Sequence, residues 1–324
     1  MTLDDVARRY AVAVSPTLLA LVDPADPADV IARQFLPSLE ELNTLPQELA
    51  DPIGDAAHSP VAGIVHRYMD RVLFKVVAVC PVYCRFCFRR EMVGPGKPNA
   101  LSSQDFEAAL AYIAAHSEIR EVILTGGDPF ILSPRRAADV TQRLAAIGHV
   151  KIIRWHTRVP VADPARISDD FVAALQAPGI TTWVAVHANH GREFSPDAQR
   201  AIARLVDGGI TLVSQSVLLK GVNDNVAVLA DLMHAFLENR IKPYYLHHPD
   251  LAPGTSHFRL GIEEGLTLMR ALRARVSGIA MPTYMLDIPG GFGKVPLESD
   301  HVERIADGHR IRDMHGQWHT YPPE

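Results

Sequence analysis

The strongest constraint on the fold is a regular alternation that runs from residue 71 to residue 276. Short apolar runs alternate with longer amphipathic segments. The apolar runs are continuous, which is typical of parallel strands buried on both faces. Six strand–helix units in succession predict a parallel sheet with right-handed crossovers, curled into a barrel or partial barrel. The predicted strands are residues 72–79, 121–124, 151–155, 182–186, 210–213 and 242–246. The predicted helices are residues 102–116, 134–147, 169–176, 195–207, 225–238 and 262–276.

The remaining chain is divided around this core. Residues 1–70 predict a helical extension that prolines break into short pieces, with helices over 4–13 and 27–34. Residues 71–280 predict the barrel, and residues 281–324 predict a lysine-bearing loop and a short C-terminal tail. The tail from Glu298 onward is charged and contains histidines. It is a candidate cover for the barrel mouth or a candidate subunit contact in a homo-oligomer.

Composition excludes several classes of protein. Of the 324 residues, 48% are hydrophobic and 21% are charged, so the chain can bury a large core and is not disordered throughout. A net charge of −5 argues against a dedicated nucleic-acid-binding protein. The sequence lacks an apolar run of about eighteen residues, the length that a membrane-spanning helix needs. The first residues are acidic and contain no apolar signal core, so we expect a cytoplasmic protein without a membrane partner.

The three cysteines of the chain lie within eight residues, directly after the first predicted strand. Cys80, Cys84 and Cys87 form a C-x3-C-x2-C pattern. An odd, clustered set does not describe a disulfide scaffold, whereas clustering at ligand spacing is typical of metal binding. Three thiolates can hold three irons of a four-iron cluster and leave the fourth iron open to a small molecule. Zinc is the alternative, and it would need a histidine as its fourth ligand.

Two glycine-containing segments are further candidate sites. Gly126, Gly127 and Asp128 follow the second predicted strand, where paired glycines permit either a close ligand or an ordinary turn. Near the C-terminus, three glycines precede Lys294 at a spacing that does not match a P-loop. A lysine held in a partly desolvated site forms Schiff bases readily, as pyridoxal phosphate (PLP) requires, whereas the alternative is a solvated surface lysine.

The cysteine pattern followed by the glycine pair resembles the radical S-adenosylmethionine (SAM) enzymes. Together with Lys294, it resembles the lysine 2,3-aminomutase family within that group. The resemblance implies an α/β fold built on a radical SAM partial (β/α)6 TIM-like barrel. It also implies three cofactors, namely a [4Fe-4S] cluster, SAM and PLP. The segments that carry the resemblance lie at residues 66–68, 70–73, 80–90, 124–129, 215–224, 244–250, 254–259 and 287–296.

The resemblance also implies roles for individual residues at the cofactors. The three cysteines bind the cluster, whose open iron binds SAM. Gly126, Gly127 and Asp128 match the motif that contacts SAM, although many relatives carry Glu at the aspartate position. Lys294 matches the lysine that holds PLP, and Arg71 matches a ligand of the PLP phosphate. Two further matches to the cofactor pocket are His187 and Gln215.

For the substrate, the resemblance implies L-lysine. Arg89 matches the arginine that binds the substrate carboxylate, and Asp250 and Asp287 match two aspartates that bind the distal ammonium. The implied enzyme is an isomerase that interconverts L-α-lysine and β-lysine. A 5′-deoxyadenosyl radical starts the reaction, and the amino group migrates to the neighbouring carbon with the help of PLP. A reductant such as flavodoxin or ferredoxin supplies the electron.

Three alternatives accompany this interpretation. A glutamate-specific relative would need a cation for the distal carboxylate, and the two matching aspartates argue against it on charge grounds. A relative that makes β-lysine for modification of elongation factor P shares the lysine-binding residues. The chain is similar to that branch in size. It departs from the usual lysine aminomutase in being shorter and in lacking the extra cysteines that bind a structural zinc there. The third alternative is a non-catalytic iron–sulfur protein, in which Lys294, Arg89 and the two aspartates would have no task.

Overall fold

A computed structural model describes residues 1–93, 99–298, 301–313 and 315–322. Its main feature is a sheet of nine strands that follow one another in chain order. Strands β2 to β8 are parallel, while β1 and β9 are antiparallel to their neighbours at the two edges. The strands are β1 (Ile64–Tyr68), β2 (Arg71–Val77), β3 (Glu121–Gly126), β4 (Ile152–Thr157), β5 (Thr181–His187), β6 (Thr211–Val217), β7 (Lys242–His247), β8 (Thr283–Ile288) and β9 (Gly293–Pro296).

The helices of the described chain cover the outer face of this sheet and form the N-terminal extension. Several begin with a serine whose hydroxyl accepts a backbone N–H of the first turn, as Ser102, Ser133 and Ser195 do. The helices are α1 (Leu3–Arg9), α2 (Pro16–Leu19), α3 (Val30–Phe35), α4 (Ser103–Ala115), α5 (Pro134–Ala145), α6 (Val159–Ala162), α7 (Asp169–Ala174), α8 (Pro196–Asp207), α9 (Val226–Glu238) and α10 (Ile262–Arg273). Across the described residues, each helix is too short or too polar to cross a bilayer.

The predicted partial barrel is confirmed, and the sheet is wider than the six predicted strands. Those strands correspond to β2 through β7, and the six predicted helices correspond to α4, α5 and α7 to α10. The sheet gains a seventh parallel strand, β8, which pairs with β7. β8 continues the same alternation after α10, but it was not among the predicted strands. The nearly closed sheet buries aromatic side chains such as Phe74 and Trp155 against the helices.

The first and last strands of the sheet meet through side chains. The backbone N–H of Lys294 on β9 donates to the Tyr68 hydroxyl of β1 over 2.8 Å. The N-terminal extension adds to this seam, since the N–H of Gly290 donates to the carbonyl of Pro52 over 3.2 Å. Beyond β9 the tail forms a second antiparallel sheet of β10 (Val302–Ile305), β11 (Gly308–Arg312) and β12 (Trp318–Tyr321). The tail is anchored by Ile311 and Tyr321, which are buried.

Candidate active site

A cavity of about 460 Å³ lies inside the barrel and opens at the carboxyl ends of the parallel strands. In barrels of this kind, the loops that follow the strands carry the chemistry. Every site residue predicted from the sequence lines this one cavity, although the residues are spread over more than two hundred positions. They are Arg71, Cys80, Cys84, Cys87, Arg89, Gly126, Gly127, Asp128, His187, Gln215, Asp250, Asp287 and Lys294.

The cysteine loop follows β2 and places three free, half-buried thiols at one end of the cavity. Burial raises the pKa of Cys84 to about 11, while the nearby Arg158 guanidinium favours its thiolate. Among the described residues, no three ligand side chains surround a single metal-sized point. A four-iron cluster has no such requirement, because each cysteine of a cluster binds its own iron. The donor set of three thiols beside one cation therefore fits a cluster with one open iron.

The N-terminal extension supplies the counter-ion that holds the cysteine loop. The Glu41 carboxylate is fully buried and accepts from Arg85 Nε at 2.9 Å and Arg85 Nη2 at 2.5 Å. Arg90 donates to the same carboxylate. Burial opposes ionisation of Glu41, but the two guanidinium groups hold its pKa below the usual value. Glu41 was missed by the sequence prediction, and the only signal for it is the run of arginines in the cysteine loop.

The paired glycines at the end of β3 allow the chain to pass directly against the segment that leads into Cys80. Gly126 has φ +112°, and a Cβ atom there would lie 2.2 Å from the carbonyl oxygen of Val77. A Cβ atom on Gly127 would lie 2.2 Å from the carbonyl oxygen of Val79. A larger residue at either position would push the cysteine loop away from β3. The glycines thus set the position of the first cysteine.

Asp128 is buried at the same edge, and its carboxylate is already occupied. One oxygen accepts from the Phe130 N–H at 3.0 Å and from the Thr157 hydroxyl at 2.7 Å. The other oxygen accepts from the Arg158 N–H at 2.7 Å. Burial nevertheless raises the pKa of Asp128 above its usual value. In this structure the Asp128 side chain joins the ends of β3 and β4, whereas the neighbouring glycine backbone faces the cavity.

The glycine-rich segment near the C-terminus is the turn of a β-hairpin rather than a phosphate-binding loop. Asp287 on β8 and Lys294 on β9 are directly opposite each other in this hairpin. The Lys294 ammonium forms an ion pair with the Asp287 carboxylate inside the cavity. Burial opposes ionisation of Asp287, but the charges of Lys294 and Arg67 hold its pKa below the usual value. Burial and the charge of Asp287 raise the pKa of the neighbouring Asp250 to about 7.

Arg89 extends from the cysteine loop into the same cavity and meets Asp55 of the N-terminal extension. The Arg89 Nη2 to Asp55 Oδ2 distance is 3.2 Å, and Lys75 Nζ lies 3.7 Å from the same oxygen. Burial opposes ionisation of Asp55, but Arg89 and Lys75 hold its pKa below the usual value. Asp55 was also missed from the sequence, because its irregular segment shows no pattern that marks a buried carboxylate.

A neutral polar chain crosses the cavity between β5 and β7. His187 Nε2 lies 2.8 Å from Gln215 Oε1, and Gln215 Nε2 lies 3.0 Å from His247 Nε2. Burial lowers the pKa of both histidines to about 3, so both are uncharged near neutral pH. His156 also lines the cavity, and its buried Nε2 has no hydrogen-bond partner among the described residues. These groups suit an uncharged, hydrogen-bonding portion of a bound cofactor.

Arg71 lies at the opposite end of the cavity from the cysteines. Its guanidinium stacks on the Tyr68 ring at 3.9 Å, and the hydroxyl of the same tyrosine accepts from Lys294. Tyr68 therefore spans the space between the Lys294 backbone and the Arg71 guanidinium. A cofactor bonded to the lysine amine and carrying a phosphate fits this arrangement, because guanidinium groups suit phosphate oxygens.

Comparisons with known proteins show the family to which the chain belongs. The family model of the radical SAM superfamily matches residues 74–233. The chain is 36% identical over 311 residues to L-lysine 2,3-aminomutase of Fusobacterium nucleatum, covering 95% of this chain and 72% of the relative. It is also 36% identical to L-lysine 2,3-aminomutase of Clostridium subterminale, with 95% and 74% covered. Identity to glutamate 2,3-aminomutase of Clostridioides difficile is 35%, with 97% and 74% covered. From this similarity over most of its length, the chain belongs to the lysine 2,3-aminomutase family of radical SAM enzymes.

Proposed function

We propose that this protein is a lysine 2,3-aminomutase that interconverts L-α-lysine and β-lysine. The observation that carries the proposal is the charge distribution of the cavity. Arg89, Asp250, Asp287 and Lys294 all line it, Lys294 is paired with Asp287, and the charges of Asp287 and Arg89 both act on Asp250. A free amino acid with a carboxylate at one end and an ammonium at the other matches these groups. The distal carboxylate of glutamate would meet two carboxylates instead, which is unfavourable in a buried site.

The three cofactors supply the difficult chemistry, since the cluster and SAM generate the radical and PLP stabilises it during amino migration. This chain contributes the groups that hold them. Cys80, Cys84 and Cys87 would bind three irons, and the backbone of Gly126 and Gly127 would contact SAM. Other groups complete the cofactor sites, namely Asp128, Arg71 and Lys294 together with His187 and Gln215.

The chain's own residues bind and orient lysine. Arg89 pairs with the α-carboxylate, and Asp250 and Asp287 pair with the distal ammonium. In the structure Asp287 holds the Lys294 ammonium, so Lys294 must leave this carboxylate before the substrate ammonium takes its place. The enclosed cavity excludes water from the reacting carbons, which protects a radical from side reactions. Positioning both ends of lysine fixes the β-carbon relative to the cysteine end of the cavity.

The first test is anaerobic turnover after reconstitution with iron, sulfide, SAM, PLP, a reductant and L-lysine. We expect β-lysine by mass spectrometry, and no product from Cys84→Ala or Lys294→Ala. Lys294→Ala should also lack the visible absorbance of lysine-bound PLP. Lys151→Ala, at an exposed lysine directly before β4, is the matched control and should retain turnover. Wild-type protein that binds PLP and cleaves SAM without making β-lysine would overturn the proposal.

A second prediction concerns pH. Because the pKa of Asp250 is raised to about 7, its carboxyl is neutral in acid and charged in base. The substrate ammonium is attracted only by the charged form, so kcat/KM for L-lysine should rise by up to about tenfold per pH unit below 7 and level off above it. The measurement is kcat/KM between about pH 5.5 and 8.5. Asp250→Asn should remove this rise, and an unchanged profile in the variant would contradict the role of Asp250.

We further propose that the enzyme acts in the cytoplasm, forms a homo-oligomer and takes its electron from flavodoxin or ferredoxin. Support for a reducing compartment comes from three free, clustered cysteines. Neither the elongation-factor role nor a non-catalytic iron–sulfur role is favoured by the site. The second of these would leave the buried Lys294–Asp287 pair and Arg89 without a task.

A further inference from the structure

Five charged side chains of alternating sign connect the two substrate-binding ends of the cavity. They run from Lys294 through Asp287, Arg67 and Asp55 to Arg89. The outer members belong to the groups already assigned to PLP and the substrate. The central member, Arg67, has no task in that assignment. It comes from β1, the antiparallel edge strand that precedes the barrel.

Arg67 contacts both buried carboxylates with different nitrogens. Its Nη1 lies 3.6 Å from Asp287 Oδ1, and its Nη2 lies 3.6 Å from Asp55 Oδ1. The Arg67 side chain is only 10% exposed, and its Nη2 also donates to the carbonyl of Ile53. The guanidinium therefore has a fixed place between the carboxylates rather than a solvated one.

In Asp287 and in Asp55, the two carboxylate oxygens have different partners, and the arrangement is the same in both residues. In each aspartate, Oδ2 faces a cation of the pocket, which is Lys294 for Asp287 and Arg89 for Asp55. In each, Oδ1 is buried without a hydrogen-bond partner among the described residues and has Arg67 as its nearby cation. Arg67 thus leaves the Oδ2 atoms available to the groups that handle the substrate.

We propose that Arg67 is a positioning residue that fixes the two ends of the lysine-binding site relative to each other. This inference rests on the proposed function, since it takes L-lysine as the ligand. Arg67 orients Asp287 for the distal ammonium, and through Asp55 it orients Arg89 for the α-carboxylate. A planar guanidinium with two separate terminal nitrogens can serve both carboxylates at once, whereas a lysine ammonium can serve only one of them.

The test is ligand binding to PLP-loaded enzyme without SAM or reductant, measured by isothermal titration calorimetry. L-Lysine is compared with L-norleucine, which lacks the distal ammonium, and with cadaverine, which lacks the carboxylate. For Arg67→Gln we expect about tenfold weaker binding of L-norleucine and of cadaverine. We expect about 100-fold weaker binding of L-lysine, because lysine uses both ends of the site. PLP absorbance should be unchanged. Arg143→Gln, which removes an exposed ion pair with Glu107, is the matched control.

A conservative variant keeps the inference testable if Arg67→Gln folds poorly. Arg67→Lys should restore the affinity for either L-norleucine or cadaverine and leave binding of the other compound weak. The proposed role of Arg67 would be overturned if Arg67→Gln weakened the binding of only one of L-norleucine and cadaverine. It would also be overturned if the variant lost PLP while its affinities for the ligands stayed unchanged. Wild-type protein that binds none of the three ligands would instead contradict the proposed function, so the two failures are distinguishable.

Discussion

Replacing Glu41 with glutamine should destabilise the protein by about 3–5 kcal/mol, because two buried guanidinium groups lose their shared anion. Arg85 and Arg90 are both almost fully buried, and both donate to this carboxylate. A neutral amide keeps the shape of the site but leaves the two positive charges uncompensated. Since both arginines belong to the cysteine loop, we also expect the variant to retain far less iron and sulfide.

This effect is measured by urea unfolding of the cluster-free protein, with iron and sulfide determined after reconstitution. The matched control is Glu107→Gln, which removes an exposed pair with Arg143 and should change stability by less than about 1 kcal/mol. If Glu41→Gln unfolds at the wild-type urea concentration and binds a full cluster, the extension does not hold the cysteine loop in the way described.

Replacing Asp287 with asparagine should lower kcat/KM for L-lysine by about 10²–10³, the loss expected when one partner of a buried charge pair is removed. Asp287 is 4% exposed and faces three cationic or polar partners, namely Lys294, Arg67 and His247. Asparagine keeps the size of the side chain and removes the charge that the substrate ammonium needs. The effect therefore reports on charge rather than on packing.

Asp250→Asn is the matched variant for this experiment. Because Asp250 is already partly protonated near neutral pH, its replacement should cost less, about tenfold in kcat/KM. Both variants should keep the absorbance of lysine-bound PLP, which separates loss of substrate binding from loss of cofactor. An unchanged KM in Asp287→Asn would refute its assignment to the substrate ammonium.

The barrel could be predicted from the sequence because its strands are buried on both faces and read as continuous apolar runs. The same topology explains why residues as distant as Cys80 and Lys294 line one cavity, since the strand ends meet at one rim. β8 was not among the predicted strands, although it follows α10 just as the earlier parallel strands from β3 onward follow their helices. Its pairing with β7 decides where Asp287 lies.

The counter-ions of the site were not predictable from local pattern. Glu41 and Asp55 lie in a proline-interrupted segment, and their arginine partners in the cysteine loop are 34 to 49 residues away in the chain. Only the tertiary fold shows which carboxylate meets which guanidinium. The sequence does contain an indirect signal, because Arg85, Arg89 and Arg90 surround the cysteines and cannot all be buried without anions. Asp128 is the converse case, because the sequence marks it as a candidate cofactor ligand. Its carboxylate accepts hydrogen bonds from backbone and hydroxyl groups of the protein, which only the fold shows.

The contacts of the cysteine loop have a consequence for the order of events during synthesis. Arg90 donates to the carbonyl of Gly254, and the approach to Cys80 packs on Gly127. A nascent chain that has just exposed its cysteines therefore lacks the parts that enclose them. The loop reaches its final shape only after most of the polypeptide has left the ribosome. The enclosed form of the cysteine site consequently exists only after residue 254 has been synthesised.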